Sequence, residues 1–72
     1  MDEPVRSVGY EIHVRGWLGE TLLGAFPGLR ARTHGTDTVL TGQLADQAAL
    51  HGVLAQIEAF GLELLQLRRT DG

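Results

Sequence analysis

A ferredoxin-like α+β sandwich, wound β-α-β-β-α-β, is the fold predicted by this 72-residue sequence. Three observations predict it. Residues 10–15 alternate strictly between apolar and polar, as a half-buried strand does. Residues 29–44 read as two strands joined through Gly35-Thr36-Asp37. Leu50, Val53, Leu54 and Ile57 recur at the spacing of one helix face.

Each element follows in order. Residues 1–9, with Pro4, Ser7 and Gly9, read as a flexible lead before a single domain over 10–69. Tyr10, Ile12 and Val14 point one way in the first strand, and Glu11, His13 and Arg15 the other. Gly16 and Gly19 break that strand. A short helix over 20–26 carries Leu22, Leu23 and Phe26 on one side, and Pro27-Gly28 stops it. The strands of the hairpin cover 29–34 and 38–44. Asp46 is placed to cap the second helix and Gly61 to end it. The last strand runs over 62–69, and 70–72 fray. Right-handed crossovers make strands one and three central and put both helices on one side of the sheet.

Composition narrows the function. A chain this short buries only about 60% of its unfolded surface, so it needs an efficient core or self-association. With no cysteine it has no disulfide, thiolate zinc site or thiol nucleophile. The net charge of −3 argues against nucleic acid as a partner. No apolar run is long enough to cross a bilayer, and the acidic start is unlike a signal peptide, so the sequence predicts a cytoplasmic protein. All 6 basic residues are arginine, a bias that base composition explains and that also suits bidentate carboxylate or phosphate pairing.

Two helices roof one side of such a sheet. Tyr10, Ile12, Val14, Leu29, Ala31 and Leu40 are expected on that side. Glu11, His13, Arg15, Arg30, Arg32, His34, Val39 and Thr41 are expected on the open one, making it locally basic. In strand four, Leu62 and Leu64 point one way and Leu65 and Leu67 the other, so either register leaves two leucines off the core. Together with Val39 they form an apolar strip rimmed by Arg30, Arg32 and His13, the kind of surface that takes a partner.

Sharper readings have bland counterparts. His13 and His34 share the open face, but an intervening strand separates them by about 10 Å, and no third metal ligand is evident. Trp17 is either an interface anchor or a residue tucked against the first helix. Ala48, Gly52, Ala55 and Ala59 form a small-residue stripe opposite the core face, read as a solvated surface, with Gly52 leaving room for a packing role. No P-loop, dinucleotide fingerprint, zinc-protease or nucleophile-elbow motif is present, and no nucleophile–base pair can be built, so no catalytic residue, metal or cofactor is assigned.

Thr38-Val39-Leu40-Thr41-Gly42, Asp46-Gln47-Ala48-Ala49-Leu50-His51-Gly52-Val53-Leu54 and Gly61-Leu62-Glu63-Leu64-Leu65, with the opening residues 10–16, form a pattern. It resembles that of a group of short uncharacterised bacterial proteins common in actinobacteria. The likeness covers 10–68 and departs where Gln43 and Glu63 replace prolines. The group has no assigned activity, so the resemblance implies no catalytic residue.

The expectation is therefore a non-enzymatic interaction or oligomerisation module. It binds itself or another protein through Arg15, Arg30, Arg32, His13, Trp17 and Val39 on the open face, together with strand four. The alternative is an ACT-like sensor, in which Arg15, Arg30 and Arg32 hold a small anionic ligand. A third reading is a cofactor-free enzyme using His13 or His34.

Overall fold

The computed structural model describes residues 8–70. The elements are β1 (Val8–Val14), α1 (Glu20–Leu23), β2 (Arg30–His34), β3 (Asp37–Leu44), α2 (Gln47–Ala59) and β4 (Leu64–Thr70). All neighbouring strands are antiparallel, in the order β2-β3-β1-β4. This is the ferredoxin-like α+β order that the sequence predicts.

The core lies between the sheet and the helices. Tyr10, Ile12, Val14, Leu40 and Leu44 from the two central strands meet Phe26, Leu50 and Ile57. Ile12 and Val14 retain no exposed surface. The edges are far less covered: every residue of β2 is exposed, as is every residue of β4 except Thr70. Ala31 points to the helix side opposite Leu40, yet it stays exposed, which corrects its placement in the core. The reason is that α1 is a single turn ending at Leu23 instead of reaching 26, too short to roof β2. Phe26 is nonetheless buried, at the end of the turn that follows.

Strand boundaries differ at both ends. Val8 and Gly9 belong to β1, because β3 and β4 reach far enough to pair with them through Leu44, Gln43 and Thr70. The rest of the expected lead lies outside the described residues. Thr70 pairs as part of β4, and the hairpin loop is two residues, Gly35-Thr36.

The ends of α2 are closed as expected. The Asp46 carboxylate accepts from the Ala49 amide at 2.8 Å. At the far end Gly61 takes φ +74°. Its N–H donates to the Glu58 carbonyl and that of Leu62 to Ile57, the paired bonds of a Schellman stop. That stop sets where β4 begins.

An irregularity then decides how β4 faces the core. His13 pairs with Gln66 but Val14 pairs with Leu64, so one extra residue is accommodated around Leu65. The expectation that the leucines split evenly between faces is corrected by this bulge. Leu64 and Leu67 both take the helix side, opposite Val14 and Ile12.

Gly52 packs against nothing in its own chain. A Cβ built there meets nothing within 4 Å. Glycine inside a helix costs about 1 kcal/mol relative to alanine. Gly52→Ala should therefore raise the thermal midpoint by about 4–8 °C in a domain of this size, as read by circular dichroism.

Candidate functional site

Register places the polar residues of the open face in rows. One row runs Arg30, Thr41, Glu11, Arg68, and the next Arg32, Val39, His13, Gln66. Glu11 is their hub. Its carboxylate lies 3.5 Å from Arg68 Nη1, 3.6 Å from Arg32 Nη2 and 3.6 Å from His13 Nε2. The Glu11 side chain is only 15% exposed, whereas both arginines are more than half exposed. At 3.6 Å the His13 contact is too long for a hydrogen bond, so the buried Nε2 has no hydrogen-bond partner among the described residues.

Val39 does not contribute to an apolar strip. It retains no exposed surface. Arg32 and His13 flank it in register, and the rings of His13 and His34 meet edge to face with centroids 6.2 Å apart. The expected separation of about 10 Å counted backbone spacing alone. The imidazoles instead lean toward each other across β3.

The remaining candidates do not converge. Arg15 lies just past β1, and its Nε is 3.3 Å from Glu63 Oε1. Arg30 has no ion-pair partner among the described residues. Trp17 is 69% exposed, so it is not tucked against α1. Its loop is fastened to the hairpin at three points. Trp17 Nε1 donates to the Gly35 carbonyl at 3.1 Å, Gly16 N–H to Asp37 Oδ1 at 3.2 Å, and Thr38 Oγ1 to the Gly16 carbonyl at 2.7 Å.

These contacts bear on chemistry. A small anion entering between the guanidiniums would compete with Glu11 at Arg32 and with Glu63 at Arg15, so an internal carboxylate already takes the ligand's place at each. Among the described residues, no group of three or more His, Cys, Asp or Glu side chains is arranged to hold a metal ion. Of three surface grooves, two are lined mainly by apolar residues and one is mixed, and none has His13, His34 or His51 on its wall. Among the described residues, no helix is long and apolar enough to cross a membrane.

What the open face lacks in accessible apolar surface, the β4 side supplies. Leu64, Leu65 and Leu67 are 42%, 41% and 38% exposed, and Phe60 adds 40%. Leu64 also lines a groove with Leu54, Ile57 and Leu62 under the end of α2. Leu67 was expected in the partner strip of strand four, whereas Arg68 was not singled out in the sequence. The signal that finds Arg68 is cross-strand register, which a bulged strand hides.

The family described as "Domain of unknown function (DUF8691)" matches residues 9–68, from the second residue of β1 to the end of the Glu11–Arg68 row. The chain belongs to the DUF8691 family. No curated protein and no solved structure matches this DUF8691 domain. The matched span contains the hub, the latched Trp17 loop and the leucines of β4.

Proposed function

We propose that this DUF8691 domain is a non-enzymatic interaction module that pairs with a second copy of itself through the outer edge of β4. The observation that carries this reading is the run of half-exposed leucines on an edge strand. Soluble proteins usually protect such edges with charge, proline or a covering element, because an open edge offers unpaired amide and carbonyl groups to any passing strand. The opposite edge has that protection in Arg30, Arg32 and His34. β4 carries arginines only toward its end and leucines before them. The narrow core adds a motive, since joining two copies at β4 covers apolar surface that one copy leaves wet.

Size-exclusion chromatography with light scattering over a dilution series tests this. Twice the chain mass is expected at micromolar concentration. Leu67→Arg should bring a cation into the interface from both copies and weaken pairing by roughly a hundredfold or more, leaving a folded monomer. A wild-type chain that stays monomeric at high micromolar concentration would rule the proposal out.

A further inference from the structure

Resting on that self-pairing, we infer its register: the two copies meet antiparallel about a two-fold axis at Leu67, joining their sheets into one of eight strands. The argument starts with which amide groups point outward. Arg15 N–H donates to the Glu63 carbonyl on the β4 side, while Gly16 N–H turns to Asp37 on the β3 side. Odd-numbered residues of β1 therefore direct their backbone groups at β4. By the alternation of an antiparallel ladder, Gln66, Arg68 and Thr70 turn theirs inward, opposite His13, Glu11 and Gly9. The backbone groups of Leu67 and Arg69 then face out.

A symmetric antiparallel pair must hydrogen-bond through outward-facing residues, which leaves Gln66, Leu67 or Arg68 for the axis. With Arg68 there, two guanidiniums would meet at the closer kind of cross-strand pair, about 4.5 Å between Cα atoms. With Gln66 there, the bonds would depend on the bulged stretch around Leu65, and Leu64 would face the partner's Arg68. With Leu67 there, Arg68 lies opposite the partner's Gln66, and the central bonded pair, Leu67 with its own copy, lies clear of the bulge.

Leu67 on the axis also satisfies the helix side of the sheet. Ala31, Leu40, Ile12 and Leu67 already form one row across the four strands. The partner's Leu67 continues that row directly into the partner's Ile12. It is the only one of the three registers that sets the apolar row end to end.

Single cysteines test the register, since the chain has none of its own. Gln66→Cys, Leu67→Cys and Arg68→Cys are each oxidised at micromolar concentration, with Ala55→Cys on α2 as an exposed reference. Only a residue on the axis faces its own copy. A hydrogen-bonded pair about 5.5 Å apart is within disulfide reach. Leu67→Cys should therefore cross-link at least about tenfold faster than the others. Faster cross-linking of Gln66→Cys or Arg68→Cys would overturn the register while leaving self-pairing intact. Rates no higher than the Ala55→Cys reference at all three positions would overturn edge pairing itself.

Discussion

Ile12→Ala is expected to cost about 2–5 kcal/mol and to lower the thermal midpoint by about 10–30 °C. Ile12 sits at the middle of the row formed by Ala31, Leu40 and Leu67, and it retains no exposed surface. The cavity left by alanine would be walled by the central strands, which pair on both sides and cannot collapse into it. A domain this small has little stability to give up, so the variant should be partly unfolded at room temperature. Circular dichroism with urea titration measures the loss. A cost below about 1 kcal/mol would show that the core is not centred on β1 and β3. Leu67, one place further along the same row, is 38% exposed, and its truncation in a single copy should cost far less.

The second large effect is expected from one methyl group. Gly42 lies opposite Tyr10 on the helix side of β3. A Cβ there would come within 2.6 Å of the Gly28 carbonyl oxygen and 2.7 Å of Leu29 Cδ2. Leu29 could change rotamer, but the carbonyl belongs to the backbone of the loop entering β2. Gly42→Ala must push that loop away or bend β3, at about 1–3 kcal/mol. Gly52→Ala is the same chemical change on α2 and should stabilise. Opposite shifts in the urea midpoint are the expected result, and shifts of the same sign would contradict this account of Gly42.

How far the sequence revealed this molecule can be judged residue by residue. The alternation through Tyr10, Ile12 and Val14, the cap at Asp46 and the stop at Gly61 are local, and each was readable because neighbours in sequence decide them. The bulge around Leu65 was not. A stretch reading Leu64-Leu65-Gln66-Leu67 supports either phase, and the choice depends on where β4 lands against β1. Without that phase Arg68 could not be placed beside Glu11, and the hub was missed although Glu11 was assigned to the correct face. Val39 failed for a different reason. Alternation gave its side of the sheet, but its burial depends on the way long side chains such as its register neighbours His13 and Arg32 lie on the central strands, which backbone spacing does not encode. Arg15, Arg30 and Arg32 were grouped by face, whereas the carboxylates of Glu63 and Glu11 divide them.

The fastening of Trp17 to the hairpin has a practical consequence for anyone following this protein by its optical signals. The chain holds 1 tryptophan, and its indole stands in solvent with its N–H tied to the Gly35 carbonyl. Its emission therefore reports whether that corner stays latched and is nearly blind to the apolar interior. The 1 tyrosine, Tyr10, is 7% exposed, so the phenol is the native chromophore that senses the core opening.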